Sequence, residues 1–264
     1  MAQAGNGNVR VWEDFVASSD DDILAVADAD GLRFNDIFIS AISGQLDIIN
    51  LKTEPNGVWR FNGAGGAGDG FALTCAPFQP STQGTITAEV RFKASAVTAW
   101  RWYFGMAETI DQDEPVCPFT LSGTTLTANN AGQAFGLYFD TAATTDDVRF
   151  MLSSDGVAST TVVNRKGSAA LGTLGTRLNT TLVADSYIYI RAEVDANGAI
   201  RMYYGDTTLD PANTGPQLVA DIAGGSLDQT AFLLPYFFCV DTSTGDANYD
   251  VDFFGATGGR DWSY

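Results

Sequence analysis

The chain has 264 residues, 45% of them hydrophobic and 12% aromatic, enough apolar material for a sizeable core and too much for a disordered segment. Its 32 acidic residues against 14 basic ones give a formal net charge of -18, and a field of that sign repels phosphate backbones and anionic lipid, which argues against nucleic acid and membranes as direct partners. There is no histidine, so Ser-His-Asp and Cys-His nucleophilic sites, histidine general bases and nearly every catalytic zinc site are excluded as well.

Along the chain, residues 1–8 are small and polar and read as a mobile arm. Residues 1–11 (MAQAGNGNVRV) lack the charged and apolar regions of a secretory signal, which predicts a protein made in the cytoplasm and not exported by the general route. Residues 9–15 (VRVWEDF) read as a first edge strand. The stretch 20–29 (DDDILAVADA) is the one helix candidate: Ser19 or Asp20 can cap it, the early aspartates suit the positive end of the dipole, and Ile23, Val26 and Ala27 can face inward. The oxygen-rich runs 19–22 and 28–31 invite a calcium reading. Calcium wants about six to eight oxygens and a bidentate carboxylate at a fixed distance, and no glutamate follows at the matching position, so a helix cap and a solvated turn are expected there.

From there the pattern is β. Short runs rich in β-branched and aromatic residues recur at 36–40, 46–51, 57–61, 70–76, 85–92 and 99–107, then at 134–139, 148–153, 159–164, 187–194, 200–204, 218–222, 232–240 and 248–254. In 85–92 (TITAEVRF) Ile86, Ala88, Val90 and Phe92 share one face and Thr85, Thr87, Glu89 and Arg91 the other. In 187–194 (YIYIRAEV) Ile188, Ile190, Ala192 and Val194 alternate with Tyr187, Tyr189, Arg191 and Glu193. The segment 195–198 (DANG) between two runs predicts a hairpin, with Asn-Gly supplying the positive φ that a tight reversal requires. In 100–104 (WRWYF) Trp100, Trp102 and Phe104 fall on one face, which is core; a sugar-stacking platform there needs Arg101 and Tyr103 exposed on the other.

The remaining motifs are weak as chemistry. The glycine-rich 63–70 (GAGGAGDG) lacks the Gly-Lys-Ser/Thr ending and following helix of a phosphate loop and reads as a connection, as does the polar 142–147. Glycoside hydrolysis needs only a carboxylate pair, and Glu193 with Asp195 is the nearest match, but Asp195 is better explained as the residue that opens the turn. Lys52, Lys93 and Lys166 are the only lysines, leaving few candidates for a lysine nucleophile. Cys75, Cys117 and Cys239 are far apart and odd in number, which predicts buried thiols and no disulfide framework. No stretch approaches the ~20 apolar residues of a membrane span. Many short strands with regular turns predict an all-β protein, a two-sheet antiparallel jelly-roll sandwich in which each sheet buries one apolar face against the other. No linker divides the chain, so residues 1–34 are read as an N-terminal arm with the first edge elements and residues 35–264 as the sandwich. No catalytic residues, cofactor or metal are expected: the protein is not read as an enzyme.

Between residues 70 and 254 a series of motifs adds a resemblance: PFQPSTQG at 77–84, EVRFK at 89–93, YFGMAETI at 103–110, PFTLSGTTLTAN at 118–129, FGLYFDTAATTD at 135–146 and YIRAEVDANG at 189–198. The chain resembles tailed-bacteriophage virion structural proteins with a concanavalin A-like lectin/glucanase sandwich. The resemblance implies a capsid decoration (cement) protein on the virion surface, a homo-oligomer (taken as a trimer) whose partner is the major capsid protein, with Arg10 and Trp12 as contacts carried by the N-terminal segment. The alternative is a carbohydrate-binding module on the virion surface or a tail fibre, with glycans as partners.

Overall fold

The computed structural model describes residues 8–15, 22–26, 31–44, 46–51, 57–62, 65–108, 110, 115–122, 125–129, 132–143, 147–154, 157–158, 176–178, 180–207, 215–225, 227–244 and 248–259. The elements run β1 (Asn8–Glu13), β2 (Asp22–Val26), β3 (Gly31–Phe34), β4 (Ile37–Ile42), β5 (Leu46–Asn50), β6 (Trp59–Asn62), β7 (Gly70–Thr74), α1 (Pro80–Gln83), β8 (Ile86–Ala94) and β9 (Trp100–Ala107). They continue as β10 (Phe119–Ser122), β11 (Thr125–Ala128), β12 (Ala134–Asp140), β13 (Arg149–Ser154), β14 (Val157–Ala158), β15 (Thr176–Arg177), β16 (Ile188–Val194), β17 (Ile200–Gly205), β18 (Gln217–Ile222), β19 (Leu234–Asp241) and β20 (Asn248–Gly259).

These strands form two nine-stranded sheets and one hairpin. Sheet I has the order β18-β17-β16-β8-β20-β6-β5-β2, with β1 also on β20; sheet II has the order β14-β13-β12-β9-β19-β7-β4-β3, with β15 on β13; among the described residues β10 and β11 pair with each other alone. Neighbouring strands are antiparallel. The chain repeatedly leaves one sheet for the other, from β6 to β7, β8 to β9 and β19 to β20, which wraps a double sheet around one core. The expected antiparallel sandwich is therefore present.

The alternation read in the sequence is the reason the sheets stack. Ile86, Ala88, Val90 and Phe92 of β8 and Ile188, Ile190, Ala192 and Val194 of β16 are buried between the sheets. Aromatic rings cross the gap: Phe61 stacks on Phe71 at 4.3 Å and Phe92 meets Phe237 at 4.6 Å. Each such side chain removes ~150–250 Å² from water, roughly 4–6 kcal/mol gross at ~25 cal/mol per Å² before chain entropy is counted. Trp100, Trp102 and Phe104 join this core, as their shared face requires. All three cysteines are buried free thiols, and Cys239 accepts a hydrogen bond from the Trp100 indole at 2.8 Å.

Several expectations need correction. Where a helix was expected over 20–29, residues 22–26 form β2, paired with β5; a helix so short is marginal alone, and the open edge of β5 offers its backbone a ladder. Asn8, read as the end of a mobile arm, opens β1, which pairs with β20 from Asn8↔Gly259 to Glu13↔Phe254. The 77–84 turn contains α1, begun by a proline whose missing N–H costs nothing in a first turn and ended by Gly84 at φ 73. The strands β3, β10 and β11 were not anticipated. In the 195–199 reversal only Gly198 takes a positive φ, 73°: its N–H donates to the Asp195 carbonyl at 2.9 Å, a turn closed by a left-handed glycine. The expected strand 159–164, residues 1–7 of the arm, and residues 19–21 and 28–30 of the oxygen-rich runs lie outside the described residues. Among the described residues no helix is long and apolar enough to cross a membrane.

Candidate functional site

Each sheet has an outward face as well as an inward one, and the two differ. On sheet II the hairpin β10–β11 lies over the outward side chains, so Tyr103, Tyr138, Met151, Tyr236 and Phe238 form a second core with Phe119, Leu121 and Cys117. Its tyrosine hydroxyls are satisfied from within. The Tyr103 hydroxyl donates to the Phe135 carbonyl at 2.7 Å, and the Tyr138 hydroxyl donates to Asp140 at 2.6 Å and accepts the Leu121 N–H at 3.2 Å. Arg101, which must share this face, pairs with Asp140 at 2.7 Å. Burial pushes the Cys117 thiol up to about 12. With Tyr103 fully buried, the exposed Arg101 and Tyr103 platform considered from the sequence does not form.

On sheet I no such hairpin intervenes among the described residues, and the outward residues are half-buried at most positions. Strand registry arranges them in rows. One row runs Tyr203–Arg191–Glu89–Gly255–Trp12 across β17, β16, β8, β20 and β1. The next runs Gly205–Tyr189–Arg91–Phe253. Phe253 reaches this face because the β8–β20 ladder shifts register between Val251 and Phe253. The bulge leaves Val251 and Phe254 in the core and turns both Asp252 and Phe253 outward, the re-aiming that bulges perform near functional sites. Asp252 pairs with Arg91 at 2.5 Å. The Phe253 ring stacks on Trp12 at 4.8 Å and meets Tyr189 edge-on at 5.7 Å.

Gly205 and Gly255 shape the ends. A Cβ on Gly255 would come within 2.7 Å of the Trp12 ring, so this glycine is the seat on which the indole lies. At the other end, Gly205 pairs with Tyr189, and a Cβ on it would meet Pro216 at 3.2 Å. There a pocket of about 680 Å³ opens, lined among others by Arg91, Tyr187, Tyr189, Asp206, Thr207 and Phe253. Arg91 lies over the Tyr187 ring at 3.9 Å, and Asp206 is held by the hydroxyls of Thr180 at 2.5 Å and Tyr204 at 2.8 Å. Burial first, and then the neighbouring carboxylates Glu89 and Glu193, raise the pKa values of Tyr189 and Tyr203. Both therefore stay protonated and donate hydrogen bonds to those carboxylates. Partial burial opposes the Arg191 charge, but Glu193 and Glu89 outweigh it and lift its pKa above the ordinary value. The result is a fixed array of donors, acceptors and ring faces beside a concavity, the composition of a small-ligand site.

The residues singled out from the sequence fall in and around this array. Trp12 is half-buried in it, and exposed Arg10 lies over the Trp12 ring at 4.8 Å. Glu193 is more buried than its alternation implied, at 8% exposed, because Arg191 and Tyr203 close over it. Asp195 accepts the N–H groups of Asn197 at 2.8 Å and Ala199 at 3.0 Å. It is the turn residue, so Glu193 and Asp195 do not form a two-carboxylate site. Among the described residues no group of three or more Cys, Asp or Glu side chains is placed to hold a metal ion. Sequence reasoning missed Phe253 and the pocket. The available signal was the run Val251–Phe254, in which two adjacent aromatics break the period of two.

No family model matches the chain, and no curated protein matches it. Solved structures do. A protein of unknown function from Shewanella oneidensis MR-1 is similar over 100% of this chain and 92% of its own, at 12% identity and a TM-score of 0.53. The carbohydrate recognition domain of Emp47p is similar over 89% of this chain and 95% of its own, at 12% identity and a TM-score of 0.49. Peanut lectin is similar over 95% of this chain and 97% of its own, at 11% identity and a TM-score of 0.46. The chain is a two-sheet antiparallel β-sandwich. None of these three is described as a virion component, so the capsid reading rests on the sequence motifs alone. In the structure those motifs build α1, the β10–β11 hairpin and core strands.

Proposed function

We propose that the protein is a carbohydrate-binding module whose site is the outward face of sheet I. The observation that carries this reading is the ring cluster Trp12–Phe253–Tyr189 beside the pocket at Gly205, on a sheet face that no described hairpin covers. Sugar rings present flat C–H faces and peripheral hydroxyls. Aromatic rings receive the first, and the tyrosine hydroxyls, carboxylates and guanidinium of this face pair with the second. The capsid-cementing reading, with a virion location and the major capsid protein as partner, has its support in the motif resemblance and in Arg10 and Trp12 standing at the margin of the same face.

One experiment weighs both readings. Purified protein is applied to a glycan array and sedimented with empty capsids, alongside Tyr189→Ala and Phe253→Ala. Glycan signals weakened at least about tenfold, or ~1.4 kcal/mol, in both variants with unchanged circular dichroism support the module. Co-sedimentation with capsids and a blank array sink it in favour of the cement protein.

A further inference from the structure

We infer that the ligand is an uncharged oligosaccharide chain lying across the strands of sheet I, with Trp12 as its contact farthest from the pocket. The inference rests on the glycan-binding reading and adds to it chain length, charge and a terminal contact. The apolar surface does not stop at the pocket rim. Phe253 is at once a pocket wall and the ring on which Trp12 stacks, so the surface continues over β20 onto β1. The row from Tyr203 to Trp12 crosses five adjacent strands, about 19 Å at the usual ~4.8 Å spacing between strands. A single sugar ring occupies the pocket alone; only a chain also uses the track.

Between the two terminal rings the row offers Arg191 and Glu89, flanked by Glu193 and by the Tyr189 hydroxyl, which is bonded to Glu89. Alternating donors and acceptors suit hydroxyls repeated along a chain.

The charge pattern selects against anionic chains. Arg91 faces Asp252 at 2.5 Å, Arg60 and Lys93 share Asp250 at 2.7 and 3.7 Å, and Arg191 lies between Glu193 and Glu89. The pocket adds Asp185 and Asp206. With -18 on the whole molecule, a sulfate or uronate meets repulsion on approach and, Arg10 at the Trp12 end aside, cations that already face carboxylates on arrival. Trp12 is also held in place, seated on Gly255 and stacked on Phe253, and stays half-exposed beside Arg10.

The test is calorimetric titration with neutral β-glucan, α-glucan and galactan ladders, from the monosaccharide to about six units, and a heparin hexasaccharide as the anionic probe. In the best-bound ladder, affinity is expected to rise at least about tenfold from the monosaccharide to the longest member, and heparin to stay unbound. Trp12→Ala is expected to weaken the longest member about fivefold and to leave the disaccharide unchanged, with Trp12→Phe largely retaining wild-type behaviour. Tyr203→Ala, at the pocket end of the row and remote from β1, is expected to weaken the longest member as well, even if Trp12→Ala disturbs the strand. A monosaccharide as tight as the longest chain, preferential heparin binding, or two end variants without effect on long chains overturns the inference while leaving glycan binding intact. No binding by any ladder or array glycan overturns the glycan reading and this inference with it.

Discussion

On sheet II the outward Tyr103, Tyr138, Tyr236 and Phe238 are at most 5% exposed, because the β10–β11 hairpin lies over them, whereas on sheet I the outward Trp12, Tyr189, Tyr203 and Phe253 keep part of their surface in solvent. Both faces seat an aromatic ring where a glycine leaves room: Tyr103 beside Gly136 on one, Trp12 on Gly255 on the other. They differ in where the polar atoms turn. Under the hairpin, Tyr103 and Tyr236 donate to backbone carbonyls and Tyr138 to a buried carboxylate. In the open, Tyr189 and Tyr203 bond side chains of a charged array that reaches water. An outward aromatic is thus second core or binding surface according to what covers it.

The contrast predicts a large stability effect on the covered face and small ones on the open face. Phe119→Ala is expected to cost about 3–5 kcal/mol in urea denaturation without altering the glycan profile of the folded protein; a loss below ~1 kcal/mol would show that the hairpin is not a core element.

Alkaline pH comes next. The buried Cys117 thiol titrates at about 12 in the folded chain against 9.0 ordinarily, so the unfolded chain loses this proton first. This group's contribution to native stability is complete below the ordinary value and falls as pH rises through this window, by roughly 2–3 kcal/mol at about pH 11. Urea midpoints taken between neutral and alkaline pH check the slope, which should flatten in Cys117→Ala; a midpoint independent of pH refutes it.

On the open face, Arg60→Ala leaves the nearly buried Asp250 with only the distant Lys93 of its two described cations, an expected loss of about 1–3 kcal/mol. The smallest effect belongs to Arg201→Ala, whose pair with Asp221 is 3.8 Å long and has side chains 45% and 19% exposed. Surface pairs of this kind contribute ~0–1 kcal/mol. If Arg201 proved as costly as Arg60, burial would not be what ranks these charges.

Much of the fold was readable because strand alternation is local. The inward sets of 85–92 and 187–194 are the buried ones, and Asp195 and Gly198 close the turn they were expected to close. The reading failed where a local pattern had two solutions. Acidic residues before Ile23 looked like a helix start, yet the edge of β5 drew the segment into a strand. The site was only half legible. Tyr187, Tyr189 and Arg91 were recognised as an outward set, but nothing local distinguishes them from Tyr103, which is outward too and buried under a hairpin.

The sequence by itself determined the class of structure, the inward faces of its main strands and the absence of histidine chemistry, since period, turn residues and composition act within a few residues of chain. Tertiary structure alone decided which outward face is covered, which way Phe253 points and where Trp12 rests. Trp12 meets Phe253 and Gly255 only because the two ends of the described chain pair as β1 and β20. Contacts across so long a separation depend on the closure of the whole sandwich, which no local pattern records.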